Sequence, residues 1–149
     1  TQTIFNAMYT PGPASTLLGP VIRMLNMDDM TIIGEAVWTH FNANPARAFG
    51  EKDAAGYTLD ISGSYQGAFG TPWVLTPGIA FRHDVTGTAL DYTLTDTHIA
   101  HRRQVTLRLS ADYQSIWNVG IAYTNNSGGG YNNFATDRDF ATFTVSYAF

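Results

Sequence analysis

The sequence predicts an all-β chain, the antiparallel strands of a transmembrane outer-membrane β-barrel. Three observations carry that expectation. Apolar and polar residues alternate in seven segments, most of about ten residues, the length a tilted strand needs to cross a bilayer. Charged residues make up 13% of the 149, about half the ~25% of an average soluble protein. No stretch approaches the ~18 consecutive apolar residues that a membrane helix needs. Eight Tyr, nine Phe and many Gly, Thr and Asn suit strands with one face in lipid and the other in water.

The elements follow in order. Residues 1–10 carry Thr3, Phe5, Ala7 and Tyr9 on one face. Residues 30–41 set Ile32, Gly34, Ala36 and Trp38 against Ile33, Glu35, Val37 and Thr39. Residues 55–66 alternate Tyr57, Leu59, Ile61, Gly63 and Tyr65 with Thr58, Asp60, Ser62, Ser64 and Gln66. Residues 73–84 give Trp73, Leu75, Ile79 and Phe81 against Val74, Thr76, Gly78, Ala80 and Arg82. Pro77 lies inside that segment, where it has no N–H for the ladder, so a bulge or broken pairing is expected there. Residues 103–113 set Val105, Leu107, Leu109, Ala111 and Tyr113 against Thr106, Arg108, Ser110 and Asp112. Residues 117–124 pair Trp117, Val119, Ile121 and Tyr123 with Asn118, Gly120, Ala122 and Thr124. Residues 139–149 close the series with Phe143, Val145, Tyr147 and Phe149 against Thr142, Thr144, Ser146 and Ala148. Successive strand residues point to opposite faces, so this last segment has one greasy aromatic face. It looks like the terminal-strand signal read by the barrel-assembly machinery.

The connections alternate in length. Residues 67–72 and 114–116 are short, whereas 42–54, 85–102 and 125–138 are long and polar. Barrels of this class have short periplasmic turns and long outer loops, which puts the last residue at the periplasmic side and the three long loops outside. Residues 11–29 break the pattern, being long and apolar on the periplasmic side. Three readings stand for them: a short helix between Pro20 and Asp28, a lumen plug, or a docking segment for a periplasmic partner. Seven strands is an odd number, and single-chain bacterial barrels have even counts. The expectation is therefore the C-terminal strands of a larger barrel.

A net charge of −4 argues against nucleic acid as a partner, since phosphate binding rests on Lys and Arg. The absence of Cys means no disulfide staples the fold. The composition also excludes a disordered chain, which needs low hydrophobicity and high charge.

From Met30 onward the order of landmarks resembles one family. The pieces are Thr31-Ile-Ile-Gly-Glu-Ala-Val-Trp38, Trp73-Val-Leu-Thr-Pro-Gly-Ile-Ala-Phe-Arg-His-Asp-Val-Thr-Gly87, Tyr113-Gln-Ser-Ile-Trp117, Ala122-Tyr-Thr-Asn125, Gly128-Gly-Gly130, Asp137-Arg-Asp-Phe140 and the Ser-Tyr-Ala-Phe149 ending. They resemble proteobacterial outer-membrane proteins of unknown function, often encoded beside an RND-type transporter and a periplasmic lipid-binding-like protein. The sequence departs at Asn125-Asn126-Ser127, where an aromatic is expected before the glycines. The resemblance implies a large, porin-like barrel in the bacterial outer membrane for hydrophobic or lipid-like solutes, coupled to an RND-type envelope system.

Candidate site residues come from strand parity. Glu35, Asp60, Arg82, Arg108 and Asp112 fall on the inward face, where rings of charge tune which solutes pass. Mutual salt bridges filling a wet interior are the competing explanation. Arg102 and Arg103, with His101 beside them, sit near the outer rim and are candidates for lipopolysaccharide phosphates through charge-assisted hydrogen bonds. Phe143, Val145, Tyr147 and Phe149 are the assembly-signal candidates. Arg82-His83-Asp84 with Ser110 raises acid–base chemistry, but a Ser–His–Asp set is defined by geometry and His83 has outward parity. No catalytic residue and no cofactor is expected. His40, His98 and His101 lack metal-ligand spacing, and Asp91 and Asp96 near His98 read as loop polarity, so no metal is expected. Ser127-Gly-Gly-Gly130 lacks the following Lys of a phosphate loop, and Arg138 is expected to pair across the rim.

The expected partners are membrane lipids, lipopolysaccharide, the barrel-assembly machinery and a periplasmic protein at residues 11–29. Three functions compete: a channel, a structural or docking barrel, and an outer-membrane hydrolase. A soluble β-sandwich is the alternative fold.

Overall fold

A computed structural model describes residues 1–40, 42, 50–90 and 96–149, with backbone alone at 89–90 and 96–97. Seven long strands form one antiparallel sheet: β1 (Gln2–Tyr9), β2 (Asp29–His40), β3 (Asp53–Ser64), β4 (Trp73–Thr86), then β7 (Arg103–Tyr113), β8 (Trp117–Ser127) and β9 (Phe140–Tyr147). Each pairs with its neighbour in chain order. Between β4 and β7, the short strands β5 (Ala89–Leu90) and β6 (Asp96–His98) form a separate hairpin that the alternation did not predict. The sheet is open, because among the described residues β1 pairs with β2 alone and β9 with β8 alone; a closed barrel is not formed by these seven strands alone. No helix among the described residues is long and apolar enough to cross a membrane.

Register explains how one face becomes apolar across the whole sheet. A central row runs Gly34, Leu59, Phe81, Val105, and a neighbouring one runs Ile32, Ile61, Ile79, Leu107, Tyr123. A third runs Pro77, Leu109, Ile121, Phe143. Directly opposed residues share a face, so a one-residue slip anywhere would mix the faces. Aromatics border this face at both ends. Trp73 and Tyr113 have ring centroids 5.1 Å apart, and Trp117 and Tyr147 4.7 Å. At the other end Tyr57 lies 5.7 Å from His83 and 5.8 Å from Phe81. Trp73 and His83 are separated by about 34 Å of strand at ~3.4 Å per residue, which a tilt of ~40° reduces to about 26 Å, near the ~25 Å apolar band of membrane barrels.

The buried apolar side chains among the described residues are Ile22, Met30, Ala54 and Ile99. These lie at the margins of the sheet, so the centre of the sheet has no core on either side. Phe5, Leu107, Ile121, Phe143 and Val145 on the apolar face are all exposed.

The break expected at Pro77 appears on one side. The β3–β4 ladder stops at Ser62 opposite Gly78 and resumes at the isolated bridge of Tyr65 with Leu75. On its other side Pro77 stays in register with Leu109. The ladder's register shift lies instead at Ala55/Gly56. The β7–β8 turn closes with both Gln114 and Ser115 at positive φ, and Ser115 donates its N–H to Asp112 Oδ1 at 2.9 Å.

Residues 11–28 join β1 to β2 and include a short helix, α1 (Gly19–Met24). They pack on the apolar side of the sheet. Tyr9 Oη and Ser15 Oγ are 2.9 Å apart, and Tyr65 Oη donates to the Leu25 carbonyl at 3.1 Å. A Cβ on Gly63 would lie 2.5 Å from Met27 Sδ. Tyr9, Gly63 and Tyr65 all share the parity of Ile32 and Ile61.

Candidate functional site

The polar face gathers the charged candidates. Arg108 on β7 reaches across β4 to Asp60 on β3, with Nη1–Oδ2 and Nη2–Oδ1 both 2.6 Å. The fork geometry of guanidinium on carboxylate fixes direction as well as charge. Gly78 makes the crossing possible: a Cβ there would sit 2.8 Å from Arg108 Nε and 2.9 Å from Cζ. Both side chains remain about one third exposed, so solvent screens the pair and its strength is modest. Toward the long-loop end the face continues with Thr106 and Thr124 hydroxyls 3.0 Å apart and Gln104 Nε2 donating to Asn126 Oδ1 at 2.9 Å. Glu35 is exposed between Asn6 and Thr58. Asp112 holds the β7–β8 turn rather than an arginine.

Arg82 turns the other way, to the rim. Its Nε lies 3.2 Å from Asp84 Oδ1. Asp84 is 2% exposed and also accepts from Arg102 Nε at 2.8 Å and the Ile99 N–H at 3.1 Å, with Arg102 Nη2 in ion-pair range of Oδ2 at 2.7 Å. Its backbone joins in, donating to the Arg102 carbonyl and accepting from the His101 N–H. A buried carboxylate needs such partners, since an unpaired one is costly. The same cluster holds His98. Burial lowers its pKa most; Asp84 opposes this, while Arg82 and Arg102 add to it. Sequence reading saw Asp84 only beside His83; the signal for its real role was the same-face spacing of Arg82 and Asp84.

Arg102 is buried against Asp84. Arg103 is exposed. The Arg138 carbonyl accepts from Asn126 Nδ2 at 3.0 Å, and the neighbouring Asp139 carboxylate anchors the start of the last strand. Asp139 accepts from Tyr123 Oη at 2.7 Å, Asn125 Nδ2 at 2.8 Å and the Asn126 N–H at 3.0 Å. Those donors, the Tyr123 hydroxyl foremost, hold its carboxyl below the usual range.

His83 and Ser110 lie on opposite faces, because His83 opposes Arg103 and Ser110 opposes Thr76 seven positions away. The two are not brought together. His40 Nδ1 lies 2.7 Å from Asp53 Oδ1 at the far edge of the rim. No group of three metal-ligating side chains occurs among the described residues. Asp91 lies outside them, as does the Asp96 side chain. Phe143, Val145, Tyr147 and Phe149 are all exposed. On the apolar face Phe5, Ala7, Gly34, Ala36, Tyr57 and Leu59 border a shallow depression of about 350 Å³, where small residues thin the wall.

Among protein families, the one described as "Protein of unknown function (DUF1302)" matches residues 2–149. No curated protein and no solved structure matches the chain.

Proposed function

The chain belongs to the DUF1302 family, and we propose that it forms part of the wall of an outer-membrane channel, its apolar face in lipid and its polar face lining a hydrated lumen. One observation carries this: a single-layer sheet leaves a continuous apolar face uncovered between two aromatic borders. A soluble domain buries such a face under a second layer, and exposed apolar patches of this extent mark a membrane or partner surface. Open edges on β1 and β9 and an odd strand count fit a wall that further strands complete. The regular aromatic face of β9 suits recognition by the barrel-assembly machinery.

In this reading Arg108 and Asp60 face the solute path, with Glu35 as a further carboxylate. The role involves passage and no chemical step. Passage of lipid-like solutes, lipopolysaccharide contact and coupling to an RND-type transporter through a periplasmic partner follow from the family resemblance, and each belongs to the proposal. Planar-bilayer recordings of the full-length protein test it. Replacing Arg108→Ala should shift ion selectivity toward cations, because Asp60 loses its counter-charge. Channels with unchanged selectivity would remove Arg108 from the lumen, and absence of any conductance or solute uptake would end the channel reading.

A further inference from the structure

We infer that residues 11–28 are an interfacial anchor that lies in the lipid headgroup region at the short-turn end of the sheet, outside the lumen. The inference rests on the membrane reading above and adds a partner for a segment which that reading leaves unused.

Position is the first argument. The side chains that hold the segment belong to the apolar face, Tyr9 through Ser15 and Tyr65 through the Leu25 carbonyl, and Met27 lies over Gly63 of that face; the bonds of Asp28 to Ser64 and Gln66 run through the backbone of those two residues. The Pro11 carbonyl accepts the Met30 N–H at 3.1 Å, and Met30, on that same face, is buried. A lumen plug would be held by residues of the opposite parity. Gly63 lacks a side chain where Met27 must lie close, which lets the segment sit flat on the sheet.

Side-chain pattern is the second. Leu17, Val21, Met24 and Leu25 follow the i, i+4, i+7, i+8 spacing of one helical stripe and are 76%, 38%, 76% and 43% exposed. Gly19 and Ile22 are the buried positions of α1, and Pro11 is buried where the segment leaves β1. The segment meets the sheet at the short-turn end, where Tyr65 binds the Leu25 carbonyl and bridges to Leu75, two residues from the aromatic border at Trp73. Aromatic borders of this kind mark the headgroup level.

Charge is the third. Arg23 is tied to the Pro13 carbonyl, and Asp28 accepts the Gln66 N–H at 2.5 Å next to the sheet. Arg23 stays charged and exposed beside the stripe, whose own residues, Leu17, Val21, Met24 and Leu25, are uncharged. A short element with one apolar side and little net hydrophobicity lies in the interface plane rather than across the bilayer. Continuity with the lipid-facing sheet favours lipid over a protein partner.

The test uses the full-length protein in phosphatidylethanolamine and phosphatidylglycerol vesicles, with Met24→Cys as its single cysteine carrying a polarity-sensitive fluorophore. Ile121→Cys, labelled likewise, reports on the middle of the apolar face. Lipids bearing a nitroxide at the headgroup end of the acyl chain should quench the label at 24, its emission should shift to the blue, and aqueous iodide should lose most of its quenching. Strong iodide quenching at 24 with no lipid quenching, while 121 is quenched by lipid, overturns the anchor and leaves the segment to water or a periplasmic protein. Absence of lipid quenching at both positions removes the membrane reading, and the anchor with it.

Discussion

Asp84 draws two arginines, one backbone N–H and a histidine into one small volume, and each member constrains the others. His98 is the member whose charge changes in the physiological range. In the folded chain burial, with Arg82 and Arg102 beside it, keeps its imidazole neutral against the pull of Asp84. The unfolded chain still takes up a proton below about pH 6.5. Stability from this site is therefore complete above that pH and declines as pH falls through it toward the lower folded value. Urea unfolding in detergent should show this decline, and His98→Asn should flatten it. An unchanged pH profile in the variant would place the acid sensitivity elsewhere.

Among the elements, β4 joins the two halves of the sheet and bears the most irregular sequence. Gly78 opens the space through which Arg108 reaches Asp60. Gly78→Ala puts a methyl group into the guanidinium, which swings away because it is the flexible end of a long side chain. The expected loss is about 1 kcal/mol, the scale of a half-screened ion pair and its hydrogen bonds. Asp60→Asn should cost about the same, and the double variant little more than either alone, since both remove one interaction. Additive losses in urea unfolding would show that the pair does not bridge β3 and β7.

Strands were the part of this fold legible in the sequence, and the reason is geometric. A period of two maps each residue to a face directly, so Arg103–Tyr113 could be read with its bounds unchanged. Shared parity put Asp60 and Arg108 on one face, while their direct pairing across β4 came from the register. Contacts that depend on loop conformation did not follow. Burial of Arg102 requires the turn at residues 99–102 that brings it over Asp84, and no periodicity encodes that turn. The side on which residues 11–28 lie depends on Tyr9 and Tyr65 reaching the segment, a tertiary contact. The β5–β6 hairpin is too short to show a pattern.

At the scale of the whole molecule the question is what covers the apolar face. Few side chains are buried among the described residues, and fully burying a Leu, Ile or Phe is worth about 1.5–3 kcal/mol, so an uncovered sheet of this size forgoes most of that stabilisation. In the proposed wall, lipid on one side and a hydrated lumen on the other account for both faces at once. The most direct test is solvent accessibility along β7, read residue by residue. Single cysteines at 104–109 in the full-length protein, labelled and reconstituted in vesicles, are quenched in turn by nitroxide lipids and by aqueous iodide. Quenching should alternate with period two, lipid reaching 105, 107 and 109, and iodide reaching 104, 106 and 108 (Cys replacing Arg108 also removes the Asp60 pair, so 104 and 106 carry the polar phase). Iodide quenching at every position, or lipid quenching on the Gln104 and Thr106 side, would contradict a membrane wall with its polar face inward.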